Sequence, residues 1–216
     1  MLTIELPGVK LGLVEASDVR VQLAHEDLAR EMDAVCEGIR ARYSVEQLAE
    51  TPFVRDVRAM FRAWDMDPSK YRPSSEALLR RVVQGKGLYR VNTVVDAANL
   101  GSIETGWPYG LYDRAHYALP VAFRHGKPGE LYEGIGRRTW HLEGRPVLAD
   151  AQGPFGSPIS DSTRTMIREN SRSVLAVIYA PISAAEEALM RAAEQLAARF
   201  ERFCFAQFTR SAIVLP

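Results

Sequence analysis

Residues 90–100 read Arg90-Val91-Asn92-Thr93-Val94-Val95-Asp96-Ala97-Ala98-Asn99-Leu100, and residues 106–113 read Gly106-Trp107-Pro108-Tyr109-Gly110-Leu111-Tyr112-Asp113. This stretch stands apart from the generic helix and strand patterns around it. Asn92 sits where a side-chain oxygen caps a helix N-terminus, and Val95, Ala98 and Leu100 supply that helix with apolar positions. Asp96 and Asn99, three apart, share one helix face. The Gly106–Gly110 turn then reverses the chain and is expected to return Asp113 toward the helix. A buried group of Asp96, Asn99 and Asp113 needs hydrogen-bond partners. On the residues alone it serves structural bracing as well as it serves a ligand site.

Upstream, Thr3 to Val21 predicts short strands around a Pro7-Gly8 turn. From Glu26 to about Arg42 the pattern turns helical, with Leu28, Met32, Val35 and Ile39 on one face. Thr51-Pro52 predicts a second helix start, carrying Val54, Val57, Met60 and Phe61 toward Trp64. After a turn-rich connector at 67–73, Ser74 or Ser75 is placed to cap a helix that ends at Gly85 and Gly87.

Downstream, Tyr109 to about Tyr179 reads as β-rich, with strands expected at 119–123, 131–133, 147–150 and 174–179. The last is a continuous apolar run, as in a strand covered on both faces. Ser183-Ala184-Ala185-Glu186 has the form of a capping box, opening a helix with Leu189, Ala192, Leu196 and Phe200 on one stripe. Residues 211–215 predict a final strand. The expected fold is α+β: one domain, 1–216, with a mixed or antiparallel sheet flanked by helices.

The 216 residues are 47% hydrophobic and 25% charged, which permits a sizeable core and argues against disorder. Basic and acidic side chains balance at 27 each. Any nucleic-acid contact must then be a local patch, because phosphate binding draws on local positive excess. Arg137-Arg138 is one basic pair. Arg164, Arg168 and Arg172, spaced by four, read as one helix face, either solvated or a phosphate-contact stripe. Cys36 and Cys204 lie in apolar helical patterns and read as small packed hydrophobes in preference to a long-range disulfide. His116 and His125 match no metal spacing. No metal or cofactor is expected, no membrane span, and no leader segment. The cytoplasm is the expected compartment.

The sequence carries no P-loop, dinucleotide fingerprint, zinc-protease motif or nucleophile elbow. What it does carry, from Val91 through Asp96 and Asn99 to Pro108 and Asp113, resembles the "INxVVDxTN…GxPxHAFD" signature of the B3/B4 domain of the phenylalanyl-tRNA synthetase β subunit. Arg72 to Arg81 is similar to the opening of that domain in freestanding B3/B4 proteins. Gly129-Glu130, 147–150 and 160–165 follow in the right order, so the resemblance spans about 71–181, with helical and strand additions on either side. In the synthetase the domain hydrolyses tRNA esters of tyrosine mischarged in place of phenylalanine, which supplies discrimination that binding alone does not reach.

The resemblance implies a trans-editing aminoacyl-tRNA hydrolase, with tRNA or an amino-acid-like molecule as partner and neither membrane nor DNA. It implies a pocket bounded by the Asn92 helix, the Gly110 turn and a loop holding Gly153 and Gly156. Arg164 and Thr165 would face the tRNA end or the amino-acid carbonyl, and Glu133 would orient a water. The chain departs from the pattern in three places. The signature histidine falls on Gly110, the "AGxMGG" loop is replaced by Gln152-Gly153-Pro154-Phe155-Gly156-Ser157-Pro158, and no acid lies on 174–179. These departures motivate two further readings: a non-catalytic RNA- or amino-acid-binding module, and a hydrolase of another small ester or amide.

Overall fold

The computed structural model describes residues 2–216. Its organising element is the apolar run noted above, which forms strand β9 (Ser173–Pro181). Alternation along this strand sends Val174, Ala176, Ile178 and Ala180 into one core and Leu175, Val177 and Tyr179 into another. The run is continuous because helices cover one face and a second sheet covers the other.

Strand β9 belongs to an antiparallel sheet that also holds β2 (Val9–Ser17), β3 (Tyr109–Asp113) and β10 (Phe208–Val214), in the order β10-β2-β9-β3. A second sheet takes the order β1-β4-β7-β8, from β1 (Leu2–Ile4), β4 (Val121–His125), β7 (Pro146–Asp150) and β8 (Gly153–Gly156). In it β1 runs parallel to β4 and the other pairs are antiparallel. A small hairpin, β5 (Leu131–Glu133) with β6 (Thr139–His141), stands beside it. The fold is α+β, as expected. The terminal segments are not peripheral, however, because β2 lies inside the first sheet between β10 and β9.

On the helical side, α1 (Glu26–Arg42), α4 (Ser74–Val83), α5 (Thr93–Thr105) and α6 (Glu186–Cys204) enclose the larger core. Arg199 of α6 clamps this layer, its guanidinium reaching Glu31 of α1 at 2.7 Å and Glu104 of α5 at 2.6 Å. The short α2 (Val45–Glu50) leads into α3 (Pro52–Arg62), whose Val57, Met60 and Phe61 join Trp64 in the core between the sheets. Cys36 and Cys204 are buried free thiols. No described helix is long and apolar enough to cross a membrane.

Several local expectations need correction. Helix α6 begins at Glu186 with Ala185 as its N-cap and no side-chain cap bond, so Ser183 does not form a capping box. The amide of Ala184 instead closes a turn onto the Pro181 carbonyl. Helix α4 is capped by Pro73 and not by Ser74 or Ser75, because the extended backbone of that proline leads straight into the first turn. A true capping box occurs elsewhere, at Ser44 and Gln47. Residues 157–172 form turns and extended chain, so Arg164, Arg168 and Arg172 share no helix face.

Candidate functional site

Asn92 caps α5 as expected, its side-chain oxygen accepting from the Val95 amide at 3.0 Å. Asp96, 5% exposed, accepts from the Val91 amide at 2.9 Å. Burial raises its pKa against the pull of that bond and of Arg90. Gly106 ends the helix in the left-handed region at φ 74°, a conformation that costs glycine little. The returning strand β3 then carries Asp113 to a different neighbourhood. Its carboxylate accepts from the Ser171 hydroxyl at 2.6 Å and the Ala115 amide at 3.0 Å, with His116 Nδ1 3.3 Å away. Asp96 and Asp113 therefore serve separate partners, and Asn99 lies half-buried on α5. The expected three-residue cluster does not assemble.

The structure gathers a different group. Tyr112 of β3 and Tyr179 of β9, both fully buried, join their hydroxyls at 2.8 Å. The Tyr112 hydroxyl also donates to Asp161 Oδ1 at 2.8 Å. With that proton spent, Tyr179 is the donor in the tyrosine pair. Asp161 Oδ2 accepts from the Leu111 amide at 3.2 Å, and Oδ1 lies 3.4 Å from the Ser157 amide. As a residue Asp161 is half-buried, with its carboxylate turned onto these partners. Burial pushes its pKa up to about 7 against the hydrogen bonds that would lower it. Burial, with the carboxylate alongside, holds both phenols well above their ordinary range.

Gly110 and Gly156 explain how the phenol of Tyr112 fits. A Cβ at Gly110 would lie 2.1 Å from the Tyr112 hydroxyl, and one at Gly156 would lie 2.2 Å from its ring. The ring thus fills the space that Gly110 of β3 and Gly156 of β8 leave open. Phe155 meets it edge-on at 5.0 Å. A lid over the carboxylate comes from the β5–β6 hairpin, where the Tyr132 hydroxyl donates to Ser160 O and lies 3.1 Å from Ser157 Oγ, and the Ile135 amide donates to Asp161 O.

The remaining expected site residues surround this group in supporting positions. Arg164 is spent on the β7–β8 hairpin, with bonds to Asp150 at 3.0 Å, Gln152 at 3.1 Å and the Gly153 carbonyl at 3.1 Å. Burial pushes Asp150 up, yet Arg164 and two backbone amides outweigh it and leave the carboxyl below the usual range. Gly153 makes the hairpin turn at φ 110°. Thr165, fully buried, donates its hydroxyl to Phe155 O and accepts the Asp113 amide through its carbonyl. Glu133 has an exposed side chain and holds the 162–163 segment through its backbone carbonyl. Among the described residues no three His, Cys, Asp or Glu side chains form a metal-binding group.

Asp161 was not among the expected residues. The acid sought on 174–179 is absent there, but Tyr179 of that strand reaches one through Tyr112. The only available signal was an acid inside the Ser160–Thr165 motif, and it carried no mark of burial.

Residues 57–215 match the B3/4 domain family, and the chain belongs to that family. Among solved structures it is similar to an N-terminal fragment of the phenylalanyl-tRNA synthetase β-subunit from Pyrococcus horikoshii. That similarity is at 13% identity and a TM-score of 0.44, covering 98% of this chain and 50% of that one. The chain thus spans half the length of that fragment. No curated protein matches it.

Proposed function

We propose that this chain acts as one domain that hydrolyses the ester of a mischarged aminoacyl-tRNA, with Asp161 as general base. The observation that carries this reading is a carboxylate with its pKa near 7, held by Tyr112 and the Leu111 amide at the heart of a B3/4 fold. A base works best when its pKa lies near the working pH. In the step envisaged, Asp161 takes a proton from water as the water oxygen attacks the ester carbonyl carbon. The tetrahedral intermediate then expels the ribose oxygen, which recovers the proton from Asp161. Free amino acid and uncharged tRNA result.

Arg137 and Arg138 support RNA contact, because both are exposed on the hairpin whose Ile135 amide bonds the Asp161 carbonyl. Glu133, exposed and turned outward, passes the catalytic role to Asp161 in this reading.

A second reading, a non-catalytic binding module of the same family, draws support from the same carboxylate. Tyr112, Leu111 and Ser157 already occupy its oxygens. The experiment that separates the two is a deacylation screen with correctly and incorrectly charged tRNAs. Release of one noncognate amino acid, lost in Asp161→Asn and kept in Glu133→Ala, supports the hydrolase. No release from any ester by folded protein supports the binding module.

A further inference from the structure

Away from Asp161, the two sheets part to leave a cleft of about 280 Å³. Strand register defines its floor. Leu175 of β9, Glu15 of β2 and Arg210 of β10 stand in one row across the first sheet, and Leu13 and Ala212 stand in the next. The opposite wall is Leu2 of β1, Val121 of β4 and the 117–119 segment. A second hollow of about 200 Å³ continues past Glu15 and Tyr117 toward Phe208. The interior is therefore largely apolar, with the Glu15 carboxylate and the guanidinium groups of Arg210 and Arg114 at its edge.

Glu15 and Arg210 are direct cross-strand neighbours, a placement in which opposite charges ordinarily pair. Among the described residues, neither forms an ion pair with the other or with any other side chain. Arg114, the other cation at the cleft, is occupied: its guanidinium donates to the Tyr117 carbonyl at 3.0 Å and lies 4.9 Å from that ring's centroid. The cleft thus offers one uncommitted anion, one uncommitted cation and an apolar floor on adjacent rows of one sheet.

We propose that this cleft binds a free apolar α-amino acid, with its ammonium on Glu15, its carboxylate on Arg210 and its side chain among Leu2, Leu13, Val121 and Leu175. An α-amino acid carries both charges on one carbon beside its side chain, which matches the spacing of neighbouring cross-strand residues. A guanidinium also suits a carboxylate through its paired donors. The assignment is independent of any hydrolytic activity at Asp161.

The test is titration of isotope-labelled wild-type protein with L-leucine, L-methionine and L-phenylalanine, read by amide shifts. N-acetyl-leucine, which lacks the ammonium, and leucine methyl ester, which lacks the carboxylate, serve as controls. Saturable shifts confined to β2, β10 and residues 117–121 are expected. Arg210→Ala and Glu15→Ala, both exposed positions, should each weaken binding about tenfold or more, the loss of a charge-assisted hydrogen bond. The ester should bind as Arg210→Ala predicts and the acetylated form as Glu15→Ala predicts. The proposal is overturned by an absence of saturation in the millimolar range, by equal binding of the blocked derivatives, or by shifts centred elsewhere.

Discussion

Replacing Asp161 with asparagine tests the buried carboxylate through stability, without assuming a substrate. The folded protein holds the Asp161 proton more tightly than the unfolded chain, because burial raises the pKa from the ordinary 3.8 to about 7. The stabilising contribution is therefore complete below the unfolded value and is lost as pH rises through the folded one. That displacement, at 1.36 kcal/mol for each tenfold change in proton affinity, amounts to about 4 kcal/mol at most. Partial exposure of the residue reduces this to about 2 kcal/mol between about pH 4.5 and about pH 8.5. Asparagine keeps the shape and does not titrate. Its oxygen accepts the Leu111 amide, and its amide group donates to Tyr112, whose own proton turns toward Tyr179. Relative to wild type, Asp161→Asn should thus gain stability as pH rises, by about 4–8 °C in Tm for a chain of this size. Thermal unfolding followed by circular dichroism at both pH values measures the difference. An equal loss at both would refute the reasoning, since it would mean that the carboxylate is ionised throughout and held by its hydrogen bonds.

Gly156→Ala drives a methyl group to within 2.2 Å of the Tyr112 ring; urea unfolding should show a loss of about 1–3 kcal/mol from overpacking, and partial relief when Tyr112→Phe removes the hydroxyl would locate the clash at its tip. Glu76 is 2% exposed and binds Arg58 through both oxygens at 2.7 and 2.8 Å, with Arg72 and Arg80 within 3.7 Å. Glu76→Gln should therefore cost about 3 kcal/mol in the same assay, the scale of breaking a buried pair by removing one partner, and a change under about 0.5 kcal/mol would show these charges to be solvated. Burial raises both thiols, Cys204 to about 11, so neither should react with a thiol reagent in native protein at neutral pH; alkylation faster than unfolding would contradict their placement.

Much of the architecture was legible because periodicity reports burial. The 174–179 run announced a strand covered on both sides, and α1, α3 and α5 followed their apolar spacing and the Asn92 cap. The misreadings share one cause, which is that local spacing is ambiguous when tertiary contacts decide. Arginines four apart look helical, yet the bridge from Ser162 to Gly134 and the turns at Thr163–Thr165 and Glu169–Asn170 keep that segment out of a helix. The site was harder still. Tyr179 reads as one more member of an apolar run, and its hydroxyl matters only because β3 lies beside β9 in antiparallel register. Asp161 sits among serines and looks solvated until those two strands place Tyr112 and Tyr179 beneath it. Nothing within a few residues of Asp161 encodes that environment.

The position of β2 has a consequence for how the protein comes into being. This strand precedes both of its neighbours in the sheet, β9 and β10, by the whole of residues 18–172. During synthesis Leu11, Leu13, Val14 and Ala16 must wait, unpaired, until residues 18–172 and the partner strands after them have emerged from the ribosome. Sheets whose pairing spans such distances form slowly, and their uncovered strands are prone to pair with other chains. The helices can assemble locally while the sheet stays incomplete, so the final docking of β9 and β10 onto β2 is where folding of this chain is most exposed to aggregation and to help from chaperones.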